Sequence, residues 1–286
     1  MFIATLVAKE CLTAGDISAV CDALGGKPGP VIDAVACDIR FDFPQPDAFG
    51  REQLRRLLGS ADLSGGNDMI IQHEADRHRK LLVADMDSTM ITVECIDELA
   101  DYVGLKSEVS AITESAMRGE IDFADALRDR VALLAGLTET TVAECLRERV
   151  KFMGGAVDLV ASFRAAGGRA VLVSGGFTHF TDSVANMLGF DCAVANRLVV
   201  KDGVLTGLVE RPIIDAQTKR DTLLAQAAAL EIPLSATIAI GDGANDIPMI
   251  KAAGLGVAYH AKPKTEAAAD ASVRYGDLNV IRYALG

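Results

Sequence analysis

With 286 residues the chain is long for one compact domain and comfortable for a main domain with a smaller companion. Half of it is hydrophobic, 24% is charged and Trp is absent, a balance that excludes the disordered and fibrous classes. The 40 acidic residues against 28 basic ones give a net charge of -12, which argues against general affinity for nucleic acid or anionic membranes; an anionic ligand needs a local cation.

No apolar stretch reaches the roughly 20 residues that span a bilayer. The longest, "LLAQAAALEIPL", is interrupted by Glu231 and Pro233, and "MFIATLVAKE" has no basic segment ahead of its apolar run, so neither a membrane anchor nor a secretory signal is expected. Cys11, Cys21, Cys37, Cys95, Cys145 and Cys192 form no CxxC pair. They read as reduced thiols of a cytoplasmic protein, with a bridge among Cys11, Cys21 and Cys37 as the alternative.

In chain order, "FIATLVA", "AGDISAVCDAL", "VIDAVACDIRF", "DAFGREQLRRLL" and "DMIIQ" read strand, helix, strand, helix, strand, with "GGKPGP" and "FPQP" as breaks. This predicts a small α+β unit over residues 1–74. The charged, non-periodic "HEADRHRK" follows as a linker, and a second domain is expected over 75–286. There "KLLVAD", "RAVLVSG", "TIAIGD" and "GLGVAY" are short apolar runs alternating with amphipathic helices, the pattern of an α/β fold with a parallel sheet covered on both faces. Ligands of such sheets bind beyond the carboxyl ends of the strands. Asp85, Ser174 with Gly175, and Gly241 with Asp242 all fall at such ends.

The connection from Asp85 to Ser174 is far longer than a simple crossover. Ile96, Leu99, Ala100 and Val103 make one helical stripe, and Phe123, Leu127, Val131 and Leu134 a second, which predicts an inserted helical cap at about 94–150. Further on, Asp202-Gly203 between the β-type runs of "NRLVVKDGVLTGLV" predicts a hairpin. His73, His78, His179 and His260 lack metal-ligand spacing and read as solvent-facing or structural.

The chemistry concentrates in "ADMDSTM". Asp85 could attack a phosphoryl group and form an aspartyl-phosphate. Attack of one anion on another requires a cation, and Mg²⁺ with oxygen ligands suits phosphate sites, with Asp242 of "GDGAND" as a second carboxylate ligand. Asp87 could protonate the leaving oxygen and later deprotonate water, and its neighbour's charge favours the protonated form. The bland alternative is a helix cap at Asp87 or Ser88. Ser174 and Gly175 could hold phosphate oxygens at a helix start. In "DAQTKR" Lys219 could neutralise charge between nucleophile and phosphoryl oxygens, or Lys219 and Arg220 could be a solvated pair, and spacing does not choose between the two readings. Asp242, Asn245 and Asp246 gather at a helix start, where Asp246 could cap the helix and orient the metal shell.

In this order "DMDST", "SGG", the lysine of "DAQTKR" and "GDGAND" resemble the four motifs of the haloacid dehalogenase (HAD) superfamily, from about Lys80 onward. More narrowly, "DMDSTMITVECIDELA", "AMRGEIDFADALRDRVALL" and "VSGGFT" resemble the phosphoserine phosphatases. The resemblance implies a HAD-like Rossmannoid sheet with a helical cap. It also implies Mg²⁺-dependent hydrolysis of O-phospho-L-serine to L-serine and phosphate, the last step of L-serine biosynthesis. Carried over, Asp85 is the nucleophile, Asp87 the acid/base and Lys219 the residue that steadies the intermediate. Mg²⁺ is held by the side chains of Asp85 and Asp242 and the backbone carbonyl of Asp87, with Asp246 behind them. Glu94 and Arg130 read the substrate's amino and carboxylate groups, Met117 and Phe123 line the cap, and Ser174, Gly175 and Asn245 face the phosphate. A zwitterion protruding from a phosphate is complemented by one acid and one arginine fork. Phe123 and Arg130, seven residues apart on one helix, share a face. The first unit resembles the ACT fold, which implies effector binding or pairing of two copies as a homodimer. Two rivals stay open: the same chemistry turned to another small phosphorylated amino acid or to passing phosphate to a different alcohol, and an inert amino-acid-binding regulator.

Overall fold

Two larger sheets divide the described residues, with a two-stranded hairpin beside them. The computed structural model describes residues 1–42, 66–118 and 120–286, and the expected "FPQP" break and "DAFGREQLRRLL" helix lie outside them.

The first sheet is antiparallel, in the order β2-β3-β1-β4: β1 (Phe2–Ala8), β2 (Lys27–Ile32), β3 (Ala36–Phe41) and β4 (Asn67–His73). Central β1 is buried along its whole length, which explains its continuous apolar run. The helix Ala14–Leu24 opens with a reciprocal Thr13–Asp16 capping box and closes at Gly25 in the left-handed region (φ 63°). Val20 of that helix packs with Leu6 and Ile39 of the sheet.

Three expectations are corrected here. "GGKPGP" is not only a break, because Lys27–Ile32 pairs with β3 as an edge strand. Prolines are tolerated at an edge, and the pairing shifts register between Pro28 and Val31. "VIDAVACDIRF" is not one strand either: Asp33 (φ 52°) and Ala34 (φ 62°) turn the chain back between β2 and β3. Finally, "HEADRHRK" is a packed connection. His73 ends β4 and stacks on Phe2, Glu74–Asp76 forms a 3₁₀ turn, and Arg79 is buried with bonds to Gln72 Oε1 and the Ser235 carbonyl.

The second sheet has six parallel strands in the order β12-β11-β10-β5-β6-β7: β5 (Leu81–Ala84), β6 (Arg169–Phe177), β7 (Cys192–Asn196), β10 (Thr237–Gly241), β11 (Leu255–Tyr259) and β12 (Ala271–Val273). Alternation along β5 sends Leu82 and Ala84 to one face, with Leu159, Phe163 and Phe180 of the helices Ala156–Ala165 and Thr178–Leu188. Leu81 and Val83 go to the other, with Leu223 and Ala227 of Ala216–Ala229. Fully burying each such aliphatic side chain stabilises the fold by about 1.5–3 kcal/mol. β5 lies between β10 and β6, so the three strand ends that carry the polar motifs are adjacent.

Four helices, Cys95–Asp101, Lys106–Met117, Phe123–Leu133 and Glu139–Arg149, form the inserted cap. The first is shorter than its stripe predicts: it stops at Asp101 and Val103 is exposed. The predicted hairpin is present as β8 (Leu198–Lys201) and β9 (Val204–Val209), turning at Asp202 (φ 52°) and Gly203 (φ 75°). It braces the cap, because Gly136 N donates to Leu205 O (3.0 Å) and Leu205 N donates to Leu137 O (2.8 Å). All six cysteines are free thiols, with Cys37, Cys95 and Cys145 buried and Cys11 exposed. No helix among the described residues is long and apolar enough to cross a membrane.

Candidate active site

The chain leaves β5 through a tight turn organised on one carbonyl. Met86 O accepts from Thr89 N (3.3 Å), Met90 N (2.8 Å) and Ile91 N (3.0 Å). This geometry holds Ser88 at φ 53°, a left-handed conformation that costs a non-glycine residue about 1–3 kcal/mol and is characteristic of functional turns. The Ser88 hydroxyl donates to Glu94 Oε1 (2.5 Å), so the strained residue positions one of the expected substrate readers.

Asp85 is buried at the end of β5. Its backbone N–H continues the sheet to Ile240 O (2.9 Å), and its Oδ1 accepts from Met86 N (2.8 Å). Lys219 Nζ lies 2.7 Å from Asp85 Oδ1 and 2.7 Å from Asp246 Oδ1. Lys219 is 1% exposed, whereas Arg220 points to solvent and pairs with Asp221. The choice that spacing left open is therefore made by burial. The helix carrying Lys219 is started by Asp215, whose Oδ1 accepts from Thr218 N (2.8 Å).

Asp246 does not cap the short helix after it. Its Oδ2 accepts from the backbone N–H groups of Asp242 and Gly243 (both 3.1 Å), which fixes the "GDGAND" turn. A Cβ on Gly241 would fall 2.3 Å from the Asp246 carboxyl carbon, so glycine is required there for close approach. Asp242 accepts from Thr89 Oγ1 (3.2 Å), a residue the motifs did not single out.

Asp87 Oδ1 accepts from Cys95 N (3.3 Å), and its Oδ2 faces Gly176, where a Cβ would stand 2.7 Å away. Ser174 and Gly175 correct an expectation: they are not at a helix start, because β6 runs on to Phe177 and the helix begins at Thr178. The Ser174 hydroxyl accepts from Gly176 N (2.8 Å). Asn196, also unanticipated, donates to Gly175 O (2.8 Å) and accepts from Ile214 N (2.7 Å), pinning the irregular end of β6. Only its position at the end of β7 hinted at this.

One cavity gathers the expected residues. Asp85, Asp87, Ser174, Gly175 and Asn245 come from the sheet side, and Glu94, Met117, Phe123 and Arg130 from the cap side. Asp242, Asp246 and Lys219 lie behind that lining. The ring of Phe123 covers Gly175, where a Cβ would lie 2.5 Å from it.

The electrostatics are those of crowded acids. Burial, followed by the charge of Asp246, raises the Asp85 carboxyl, with Lys219 opposing. Burial raises Asp87 to about 7, the Asp85 charge adding to it and the Cys95 contact opposing. Burial and the Asp87 charge raise Glu94 to about 8. Asp242 is raised well above the carboxylate range by burial and by Glu94. Burial lowers Lys219, but Asp246 and Asp85 outweigh it and hold the ammonium above its ordinary value.

A family model for haloacid dehalogenase-like hydrolases matches residues 82–251, more than half of the chain. The chain belongs to this family. Within the haloacid dehalogenase-like hydrolases, it is 52% identical over 205 residues to a phosphoserine phosphatase of Albidiferax ferrireducens, covering 70% of this chain and 86% of that protein. A HAD family hydrolase of Salmonella enterica serovar Typhi superposes over 100% of this chain and 99% of its own, with TM-score 0.87 and 26% identity. A phosphoserine phosphatase solved as a phospho-aspartyl intermediate analogue covers 72% of this chain and 98% of its own, with TM-score 0.69 and 40% identity. The HAD-like sheet, the helical cap and an N-terminal antiparallel sheet of ACT-like form accord with the fold class read from the sequence.

The donor set fits the hard cation that such hydrolases use. Carboxylate oxygens of Asp85, Asp242 and Asp246 lie within 4.8 Å of one another, with no nitrogen or sulfur ligand among them. Asn245 Oδ1 is buried without a hydrogen-bond partner nearby. Both Asp246 oxygens are engaged, by Lys219 and by two backbone N–H groups, whereas the Lys219 and Met86 contacts to Asp85 fall on Oδ1, which leaves Asp85 and Asp242 as the freer pair.

Proposed function

We propose that the protein hydrolyses O-phospho-L-serine to L-serine and phosphate through an aspartyl-phosphate on Asp85, as the last step of L-serine biosynthesis. The observation that carries the reading is the single cavity that has Asp85 and Asp87 on its floor and Glu94 and Arg130 on its roof. The first pair suits a phosphoryl group and the second suits an ammonium and a carboxylate.

In this reading an Asp85 oxygen attacks phosphorus while the protonated Asp87 gives its proton to the departing seryl oxygen. Asp87, now a carboxylate, takes a proton from the water that attacks the aspartyl-phosphate, which regenerates Asp85. A carboxyl raised to about 7 can serve in both directions near neutral pH. Lys219, held by Asp85 and Asp246, offsets the negative charge that accumulates around the phosphoryl oxygens. Ser174, the N–H groups around Gly175 and Asn245 orient the phosphate, and Phe123 and Met117 exclude water from above. Asp85, Asp242 and the Asp87 carbonyl would hold Mg²⁺, with Asp246 supporting them. When bound, Mg²⁺ supplies the positive charge that lets an anionic nucleophile approach a phosphate.

Residues 1–74 are assigned to an ACT-like domain for regulation or homodimer formation. Residues 75–286 are assigned to the phosphatase domain, working in the cytoplasm. The test is phosphate release from a panel of phosphomonoesters with and without Mg²⁺, and with competing acceptor alcohols. O-phospho-L-serine should be preferred and activity should disappear with a chelator. Equal turnover of esters lacking the amino acid, or transfer to an acceptor in place of water, would overturn the reading.

A further inference from the structure

Arg130 is an arginine buried to 4% exposure on a cap helix, and burial lowers its tendency to stay charged. Such a cation requires fixed partners before substrate arrives. Its Nε donates to Ala126 O (3.0 Å) one turn back on its own helix, and its Nη1 donates to Thr113 Oγ1 (2.8 Å) on the helix Lys106–Met117. The same Thr113 hydroxyl donates to Asp97 Oδ1 (2.6 Å) on the helix Cys95–Asp101, a shorter contact than its alternative acceptor, Val109 O (3.0 Å). Thr113 is 3% exposed and Asp97 is 9% exposed. A chain of donors therefore runs Arg130 to Thr113 to Asp97 across three of the four cap helices, and it ends on a carboxylate.

The direction of this chain matters. A threonine hydroxyl has one hydrogen, and giving it to Asp97 leaves a lone pair aimed at Arg130. The carboxylate polarises the hydroxyl and strengthens its hold on the guanidinium. Of the five guanidinium N–H groups, one on Nη1 and the one on Nε are then spoken for. One Nη1 hydrogen and both on Nη2 remain, which is the end-on fork that grips a carboxylate. Both Thr113 and Arg130 line the cavity that Asp85 also lines.

We infer that Thr113 and Asp97 are positioning residues that set the guanidinium plane of Arg130 and thereby make the site selective for phosphomonoesters bearing a carboxylate. The inference rests on the substrate reading above, and it assigns to two further side chains a specificity role without contact with the reacting atoms.

The experiment compares O-phospho-L-serine with O-phosphoethanolamine, which keeps the phosphate and the ammonium and lacks the carboxylate. In the wild-type protein the ratio of the two kcat/KM values should strongly favour O-phospho-L-serine; a ratio near one overturns the substrate reading and this inference with it. Given that preference, Thr113→Val should lower the ratio about tenfold, the effect of one hydrogen bond to a charged group. The loss should appear as a raised KM for O-phospho-L-serine, with kcat changing much less. Thr113→Ser should restore the ratio, because it returns the hydroxyl alone. Asp97→Asn, which keeps the Thr113–Arg130 contact but removes the charge behind it, should lower the same ratio to a smaller extent, and it decides the matter if Thr113→Val does not fold. A ratio unchanged in the variants while the wild type keeps its preference overturns the relay alone, as does an equal loss on both substrates that serine fails to rescue.

Discussion

At the scale of single residues the site is a collection of acids held against their own repulsion. Asp85, Asp87 and Glu94 have carboxyl groups raised to about 7, about 7 and about 8 by burial, helped in each case by a neighbouring acid. A folded state that binds protons more tightly than the unfolded chain has the associated stability fully in place below about pH 4, and loses it as pH rises through about 7 to 8. Thermal melts of the metal-free protein should therefore show a midpoint that falls between about pH 5 and about pH 8, and Mg²⁺ should raise it most at the upper end. A midpoint independent of pH, or an Mg²⁺ effect equal at both ends, would contradict the description of the cluster. The two aspartates of "ADMDSTM" could be suspected from the sequence because a strand exit has no need of them. Thr89, Thr113, Asp97 and Asn196 could not, because a threonine or asparagine acquires a partner only when distant helices and strand ends meet. A solvated Lys219–Arg220 pair was as eligible as a working Lys219, and only the fold decides it, by burying Lys219 and leaving Arg220 in solvent.

At the scale of elements, the site works because a cap helix closes onto a strand end. The Phe123 ring occupies the space a side chain at position 175 would need, 2.5 Å from where its Cβ would be. Gly175→Ala should push the helix Phe123–Leu133 away and carry Arg130 with it. The expected result is a raised KM for the substrate, together with faster proteolysis of the cap. An unchanged KM would show that the helix position is not set by this contact. The parallel strands and the second cap stripe, Phe123 to Leu134, were legible because burial on two faces leaves continuous apolar runs and helices leave a period. Boundaries were less so. "SGG" reads as a helix start, yet β6 continues through it: Asn196 holds Gly175 O, and the small residues make room for Asp87 and Phe123. "GGKPGP" likewise hid an edge strand, since pairing on one side alone tolerates proline.

For the whole molecule, the first sheet is joined to the phosphatase fold by polar contacts that no local pattern announces. Asp68 of β4 accepts from the backbone N–H groups of Arg274 (2.8 Å) and Gly276 (2.7 Å). Gln72 donates to Ala284 O (2.7 Å), and Arg77 bridges Asp38 Oδ2 (2.6 Å) and Tyr283 O (2.8 Å). These contacts turn the charged stretch after β4 from an expected linker into part of an interface. Asp68→Ala removes the acceptor of part-buried backbone N–H groups at Arg274 and Gly276 and should cost about 1 kcal/mol in urea unfolding, with the midpoint lowered and turnover retained. A midpoint equal to that of the wild type would mean that this contact does not join the two sheets.

A covalent aspartyl-phosphate on Asp85 can be trapped by quenching the enzyme in acid during turnover of O-phospho-L-serine labelled in its phosphate. The label should be recovered on the peptide containing Asp85, decay when unlabelled substrate is added, and be absent from Asp85→Asn, which should also release no phosphate. Phosphate release that continues in Asp85→Asn, or a turnover that leaves Asp85 unlabelled at every quench time, would contradict it.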